Sequence, residues 1–359
     1  MRLRHLWLTD FRSYHQIEVE FPAGLTAIVG ANGEGKTNLL EGVAYLATLG
    51  SFRGAPVEAL VRQGQPAATV RAQVDREGRE LLIEAELAAK GRNRIQVNRQ
   101  RLTRSRDLLG ALRVSVFSPD DLALVKGGPA ERRRYLDDAA VAAAPRLDAV
   151  RTEVSRILRQ RNALLAQAGG RLSDEVALTL DVWSTKLVTA GEELTQARLQ
   201  LLDQLRPELE SAYQRLAGRS AQITATYRSA WLDQGLASAL AAARTDEIRR
   251  RVTLVGPHRD DVELTLDGMA ARTHASQGEQ RTLALALRLA AHQVVTAAAG
   301  TPPLLLLDDV FSELDPDRSR ALVDSLGSAQ TLLTTAGPLP PGAVPERVLR
   351  IADGVVHPG

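Results

Sequence analysis

The sequence predicts an α/β protein: a phosphate-binding lobe assembled from two separated stretches of chain, with a mainly helical lobe inserted between them. Three observations carry that expectation. The buried-strand pattern Leu25-Thr26-Ala27-Ile28-Val29 runs into a glycine-rich turn and then into a helical apolar repeat. A second buried-strand pattern, Leu304-Leu305-Leu306-Leu307, ends on the carboxylates of Asp308 and Asp309. Between the two lies a long stretch whose apolar residues recur at helical spacing.

The turn after the first strand, Gly30-Ala31-Asn32-Gly33-Glu34-Gly35-Lys36-Thr37, fits G-x-x-x-x-G-K-[ST] at every fixed position. Glycine lets the backbone curl until its N–H groups point at phosphate oxygens. The helix that follows, with Leu39, Leu40, Val43, Leu46 and Ala47 at its apolar positions, aims its positive end at the same place. Lys36 supplies a point charge to the β- and γ-phosphates of ATP, and the Thr37 hydroxyl is a ligand for Mg²⁺. At the end of the second strand, Asp308 is placed to hold the Mg²⁺ shell and Asp309 to polarise the attacking water. Alone, two aspartates there read equally well as a solvated turn; beside a complete phosphate loop they read as its partner. More than 260 residues separate the two motifs, which small-molecule kinases with this loop do not need.

A third element precedes a long apolar helix. In Ser276-Gln277-Gly278-Glu279-Gln280, Ser276 and Glu279 fit a capping box. The first N–H groups of a helix lack partners, so such a start can also receive an anion. If a second subunit presents its ATP there, the γ-phosphate bridges two chains. Further on, Asp315 reads as a helix N-cap with Pro316 at the first helical position.

The rest of the chain reads coarsely. Short strands, among them 68–74 and 81–87, fill the first 110 residues, and helices are expected over 146–167 and 173–216, the second bent near Pro207. Strands return at 252–255, with a hairpin turn at Asp267-Gly268, and again at 331–334 and 347–356, the last turning at Asp353-Gly354. The expected domains are a discontinuous lobe, 1–118 and 251–359, and an inserted helical lobe, 119–250. The 359 residues are 44% hydrophobic and 25% charged, enough for sizeable cores. The absence of cysteine excludes disulfides, thiolate metal sites and a cysteine nucleophile, and fits a reducing cytoplasm. The N-terminus shows no signal-peptide core, and no run of about 18 apolar residues suggests a membrane span.

Several blocks carry a resemblance. They are Asp10-Phe11-Arg12-Ser13-Tyr14, the loop at 30–37, Ser51-Phe52-Arg53, Phe117-Ser118-Pro119-Asp120-Asp121-Leu122, and the segments 128–137, Gly256-Pro257-His258-Arg259-Asp260-Asp261, 276–280 and 307–315. In this order they resemble the heads of ATP-binding-cassette (ABC-type) ATPases, nearer the chromosome-maintenance (SMC) and Rad50 branch than transporters, and nearest the RecF family of bacterial recombination mediators. The resemblance implies an ABC-type P-loop ATPase lobe with no long coiled coil. It implies nucleotide contacts from Arg12, Ser276, Gln277, Gly278 and Glu279, and puts Thr334 or Thr335 where these ATPases carry a γ-phosphate sensor. It further implies an ATP-driven homodimer and a weak, DNA-stimulated ATPase. Such proteins bind duplex or junction DNA in gap repair and, with RecR and RecO, help place RecA on single strands.

Net charge is only +2, so affinity for DNA has to come from local patches. Lys90, Arg92, Arg94, Arg99, Arg101, Arg104 and Arg106 form one, with Arg113 beyond and Asp107 the only acid in the run. It lacks interleaved aromatics, so contact with the duplex backbone is expected rather than base stacking. For Arg132, Arg133 and Arg134 the resemblance implies lobe packing or nucleotide-linked contacts rather than DNA contact. The competing classes are a transporter ATPase subunit, which the helical insertion and the arginine run do not suit, and a small-molecule P-loop kinase, which has no use for residues 276–280.

Overall fold

The structure is a computed structural model and describes residues 1–76, 78–171, 173–352 and 354–358. Two compact units emerge. One takes in Met1–Asp121, Ala212–Arg219 and Arg281–Gly359, the other Leu122–Ser211 and Ser220–Gln280. The strands are β1 (Arg2–Phe11), β2 (Tyr14–Glu20), β3 (Leu25–Val29), β4 (Ala67–Arg76), β5 (Arg79–Ala88), β6 (Arg94–Val97), β7 (Gln100–Arg101), β8 (Val114–Phe117), β9 (Ile223–Arg228), β10 (Asp261–Leu266), β11 (Met269–Ala270), β12 (Leu304–Asp308), β13 (Thr331–Thr335), β14 (Arg347–Ala352) and β15 (Val355–Pro358). The helices are α1 (Lys36–Thr48), α2 (Ala123–Lys126), α3 (Pro129–Ala143), α4 (Leu147–Gln167), α5 (Asp174–Ala217), α6 (Leu236–Arg250), α7 (Ala271–His274), α8 (Gln277–Ala299) and α9 (Pro316–Ser325).

The first unit holds two sheets. One is antiparallel, in the order β2-β1-β4-β5-β6-β7, and its strands alternate between core and surface, as a sheet with one wet face does. The other runs β15-β14-β3-β13-β12-β8 and is parallel from β14 to β8. Its central strands are buried throughout, which accounts for the unbroken apolar runs in the sequence. Helix α1 shares one apolar core with both sheets, and ten of its thirteen residues are buried, Glu41 among them.

In the second unit α4, α5 and α6 bury Val154, Ile157, Leu187, Leu194, Leu236 and Leu240 together. Helix α5 runs unbroken through Pro207, which lies on its exposed side. Two arginines of α3 serve packing here, while Arg134 is exposed and pairs with Glu131. Arg132 grips Asp261 with two bonds of 2.8 and 2.9 Å, and Arg133 donates to the Asp260 carbonyl at 2.7 Å. Arg198, 3% exposed, holds Asp137 in the same bidentate way.

Three expectations need correction. Residues 252–255 are not a strand: Thr253 N–H bonds the Asn162 side chain and Leu254 N–H bonds Glu247, so side chains meet the donors that a partner strand would take. The inserted unit does not close at residue 250. Strand β10 pairs along its length with β9, and this keeps the chain in the second unit to Gln280. Among the described residues one helix, α8, is long and apolar enough to cross a membrane; its apolar positions are mostly buried within the protein, which explains its composition. The Asp267-Gly268 hairpin turn forms as expected, both residues at positive φ. Of the expected Asp353-Gly354 turn, Asp353 lies outside the described residues.

Candidate nucleotide-binding site

Strand β3 delivers the chain to residue 30 and α1 leaves at Lys36, so the loop closes over the carboxyl end of a parallel sheet, where open α/β folds bind ligands. Gly30 has no alternative: a Cβ there would stand 2.4 Å from the Ile351 carbonyl oxygen. Gly35 is held at φ 105°, and its carbonyl accepts the buried Tyr14 hydroxyl at 2.8 Å. Ala31, Asn32 and Gly33 are exposed at the crest; Glu34 is half-buried.

Lys36 is 6% exposed and folds its ammonium back over the loop, donating to the carbonyls of Gly30 at 2.8 Å and Ala31 at 2.7 Å. Burial pushes its pKa down, and the negative charges of Asp309, Asp308 and Glu34 oppose that.

The two distant motifs meet. The Thr37 hydroxyl donates to Asp308 Oδ1 at 2.8 Å across 271 residues of sequence. The same oxygen accepts the Thr334 hydroxyl at 2.9 Å. Strand β13 lies between β3 and β12, and its register sets Thr334 opposite both Ile28 and Asp308. Burial raises the pKa of Asp308, as does the nearby Asp309, while Thr37, Thr334 and the charge of Arg53 lower it. Asp309 turns out of the strand at φ 50°, a left-handed conformation that Asp tolerates better than most residues, and its N–H donates to Thr334 Oγ1 at 3.0 Å. Thr335 bonds locally to Gly337.

These donors fit Mg²⁺. Thr37 and Asp308 offer a hydroxyl and a carboxylate side by side, hard oxygen ligands of the kind Mg²⁺ prefers. Among the described residues no cluster of three or more His, Cys, Asp or Glu forms a metal cage.

Arg12 lies at φ 53° beside α1, and its guanidinium grips Glu41 with bonds of 2.7 and 2.8 Å. Glu41 escaped the sequence reading. Its signal was a lone charge inside the apolar run Leu39-Leu40-Glu41-Gly42-Val43. In the second unit the capping box forms: Ser276 N–H and hydroxyl both donate to Glu279 Oε2 at 2.9 Å, and Glu279 N–H returns to Ser276 Oγ at 3.3 Å. Ser276 and Gln277 are exposed, Gly278 and Glu279 half-buried, and Gln280 is anchored below on the Ala271 and Arg272 carbonyls. The basic run follows the β5–β6–β7 edge of the antiparallel sheet. Lys90, Arg92, Arg94, Arg99, Arg101 and Arg104 are exposed there, while Arg106 and Arg113 are half-buried.

The pattern of the RecF/RecN/SMC N terminal domain matches residues 2–335. A protein of Kineococcus radiotolerans described as DNA replication and repair protein RecF is 44% identical, over 97% of this chain and 94% of its own. One of Streptomyces avermitilis, described in the same words, is 46% identical, over 94% and 93%. The solved structure of the recombination mediator protein RecF-ATP in the RecFOR pathway superposes with a TM-score of 0.91 at 28% identity, over 99% of this chain and 97% of that one. The Smc head domain of Pyrococcus furiosus, solved with an extended coiled coil and the C-terminal domain of ScpA, shares the fold alone, at TM-score 0.57 and 18% identity, over 99% and 94%. The fold is thus that of the ABC-type ATPase heads with a helical insertion, and the chain belongs to the RecF proteins of the RecF/RecN/SMC family.

Proposed function

We propose that the chain is an ATP-dependent DNA-binding protein of recombinational and gap repair, a slow ATPase whose ATP-bound form dimerises on DNA. The observation that carries this is the bond between Thr37 and Asp308, which joins phosphate loop and strand-end carboxylate into one site. Likeness to RecF proteins described as acting in DNA replication and repair supports the setting.

In this reading the loop N–H groups and Lys36 bind the ATP phosphates, and Thr37 and Asp308 hold Mg²⁺, which neutralises phosphate charge. Thr334 fixes the orientation of Asp308 through the oxygen both hydroxyls share. Asp309 polarises the attacking water; an aspartate reaches less far than a glutamate, hence slow turnover. Residues 276–279 of a second copy close on the γ-phosphate, where the exposed start of α8 offers N–H groups to an anion. The exposed basic edge of β5–β7 takes duplex or junction DNA by its phosphates without reading sequence. By kinship with proteins of the RecFOR pathway, RecR is the partner and RecO and RecA follow, in the cytoplasm at the nucleoid.

Sedimentation with and without Mg²⁺-ATP and a gapped duplex tests this reading. Dimers are expected with ATP and strengthened by DNA. A chain that stays monomeric with both present refutes the ATP-gated dimer.

A further inference from the structure

Between β5 and β6 the chain makes a short connection, residues 89–93, that carries two exposed cations of the basic edge, Lys90 and Arg92. Neither pairs with a carboxylate among the described residues, whereas Arg94, at the start of β6, lies 3.7 Å from Glu86. Gly91, between the two cations, turns at φ 106°, and nothing stands within 4 Å of where a Cβ would be, so the tip projects clear of the protein. A short connection with a glycine at its centre samples many conformations unless something holds it.

Asn93 holds this one. The β5–β6 ladder ends at Glu86 and Arg94. Beyond it the Ala88 N–H is met by a side chain, Asn93 Oδ1, at 3.1 Å. The same amide donates through Nδ2 to the Tyr45 hydroxyl oxygen at 3.2 Å. Tyr45 is 2% exposed on α1, and a phenol buried to that depth needs a polar partner. On the entry side Ala89 N–H bonds the Pro66 carbonyl at 3.0 Å. One amide thus closes the loop end to end and fastens it to the helix that begins at Lys36.

We propose that Asn93 and Tyr45 are positioning residues for DNA: through the Asn93 amide they hold the 89–93 loop in the shape in which Lys90 and Arg92 meet backbone phosphates. The idea rests on the reading above that the basic edge takes DNA. An untethered loop has to order on binding, at the expense of affinity; a tethered one has given up that freedom already. Asparagine and a protonated phenol bring no charge to a phosphate, so the two residues act through the cations and not through counterion release.

Titration of a labelled gapped duplex with the full chain and Mg²⁺-ATP, repeated between about 50 and 200 mM salt, tests it. The variants are Asn93→Ala, Tyr45→Phe, the double Lys90→Ala with Arg92→Ala, and that double carrying either of the first two changes; ATP affinity and melting are followed in each. Asn93→Ala is expected to weaken DNA binding about fivefold and Tyr45→Phe about threefold, at unchanged salt slope and ATP affinity. Removing the two cations should flatten the slope by about 1.8, at ~0.9 per phosphate contact. With them gone, Asn93→Ala should weaken binding no further. Wild-type affinity in Asn93→Ala, or the same loss whether or not the cations are present, would overturn the positioning role. So would an equal fall in ATP affinity, which would assign the loss to the phosphate site. Should Asn93→Ala melt too low to titrate, Tyr45→Phe, which keeps the ring and the bond to Ala88, decides by the same criteria in the same two backgrounds. A wild-type chain that leaves the duplex unbound, or a cation double with wild-type affinity and slope, would overturn the DNA reading of this loop and the inference with it.

Discussion

The Lys36 ammonium lies 2.8 Å from the carbonyl oxygen of Gly30, so the lysine of the phosphate loop is hydrogen-bonded to the loop's own first residue. An arriving phosphate competes with that carbonyl for the same donor, and wins because it brings a full negative charge to the ammonium, which the carbonyl oxygen does not. Lys36→Ala removes the donor from both. ATP affinity is expected to fall about 100-fold or more, from the loss of two charged hydrogen bonds of ~1.5 kcal/mol each. Titration of a fluorescent ATP analogue measures it, and ordinary affinity in the variant would remove Lys36 from the phosphate site.

Asp309 and Asn share a tolerance for the left-handed backbone found at this position. Asp309→Asn therefore keeps the turn and loses only the base. Turnover should drop by about 100-fold, within the usual range for a general base, while ATP-dependent dimers persist longer on a sizing column. Unchanged hydrolysis would exclude Asp309 from the chemistry.

The Asp308 carboxyl sits above the ordinary carboxylate range because burial penalises its charge. A carboxyl with a raised folded pKa binds its proton more tightly folded than unfolded. Its ionised form thus costs stability at neutral pH, and the cost fades as pH falls through the folded value. Asp308→Asn keeps an acceptor for Thr37 and Thr334 without the charge. In metal-free buffer the variant should melt above wild type at pH 7, with the gap narrowing in acid, and it should lose Mg²⁺-dependent ATP turnover. A variant that melts lower at pH 7 refutes the account.

His292, 4% exposed and bonded to Ser115 at 2.9 Å, has its imidazole pKa pushed down to about 4 by burial. The unfolded chain takes up this proton below about pH 6.5, the folded one not until about 4. Stability is therefore lost as pH falls through that window, by about 3 kcal/mol for this one group. Urea unfolding of wild type and His292→Asn at pH 7, 5.5 and 4.5 should show a shallower acid decline in the variant; parallel declines would contradict it.

Ser276→Arg leaves the phosphate loop untouched but places a long cation where a partner's phosphate is to dock, and it breaks the bonds to Glu279. A lost cap of this type costs about 1 kcal/mol, which the fold can absorb. ATP should still bind the monomer, while ATP-dependent dimers vanish in sedimentation. Dimers in this variant would end the bridging role of residues 276–279.

Local signals in the sequence were enough to locate the loop at 30–37, because strand, glycines, lysine and helix occupy one continuous stretch. The run 304–307 was equally plain, since a strand buried on both faces has few other compositions. What the sequence withheld depends on partners. Residues 252–255 have a strand-like composition, yet Asn162 and Glu247 claim their N–H groups. The β9–β10 pairing, which extends the second unit to Gln280, joins segments more than 30 residues apart with no short hairpin to announce it. Glu41 looked like a blemish in an apolar helix until Arg12 and Ser51 were seen on it. The shared oxygen of Asp308 needed the register of three parallel strands, which only the fold supplies.

The neighbours of β3 bear on how the protein is made. Among the described residues that strand pairs with β13 and β14 alone, and both are translated long after it. At roughly 5–20 residues per second, the ~300 residues between them take ~15–60 s to emerge from the ribosome. Throughout that interval the nascent chain carries its whole phosphate-loop motif without the strands that flank β3 in its sheet. The phosphate loop thus gains its flanking strands only once residues 331–352 have been made.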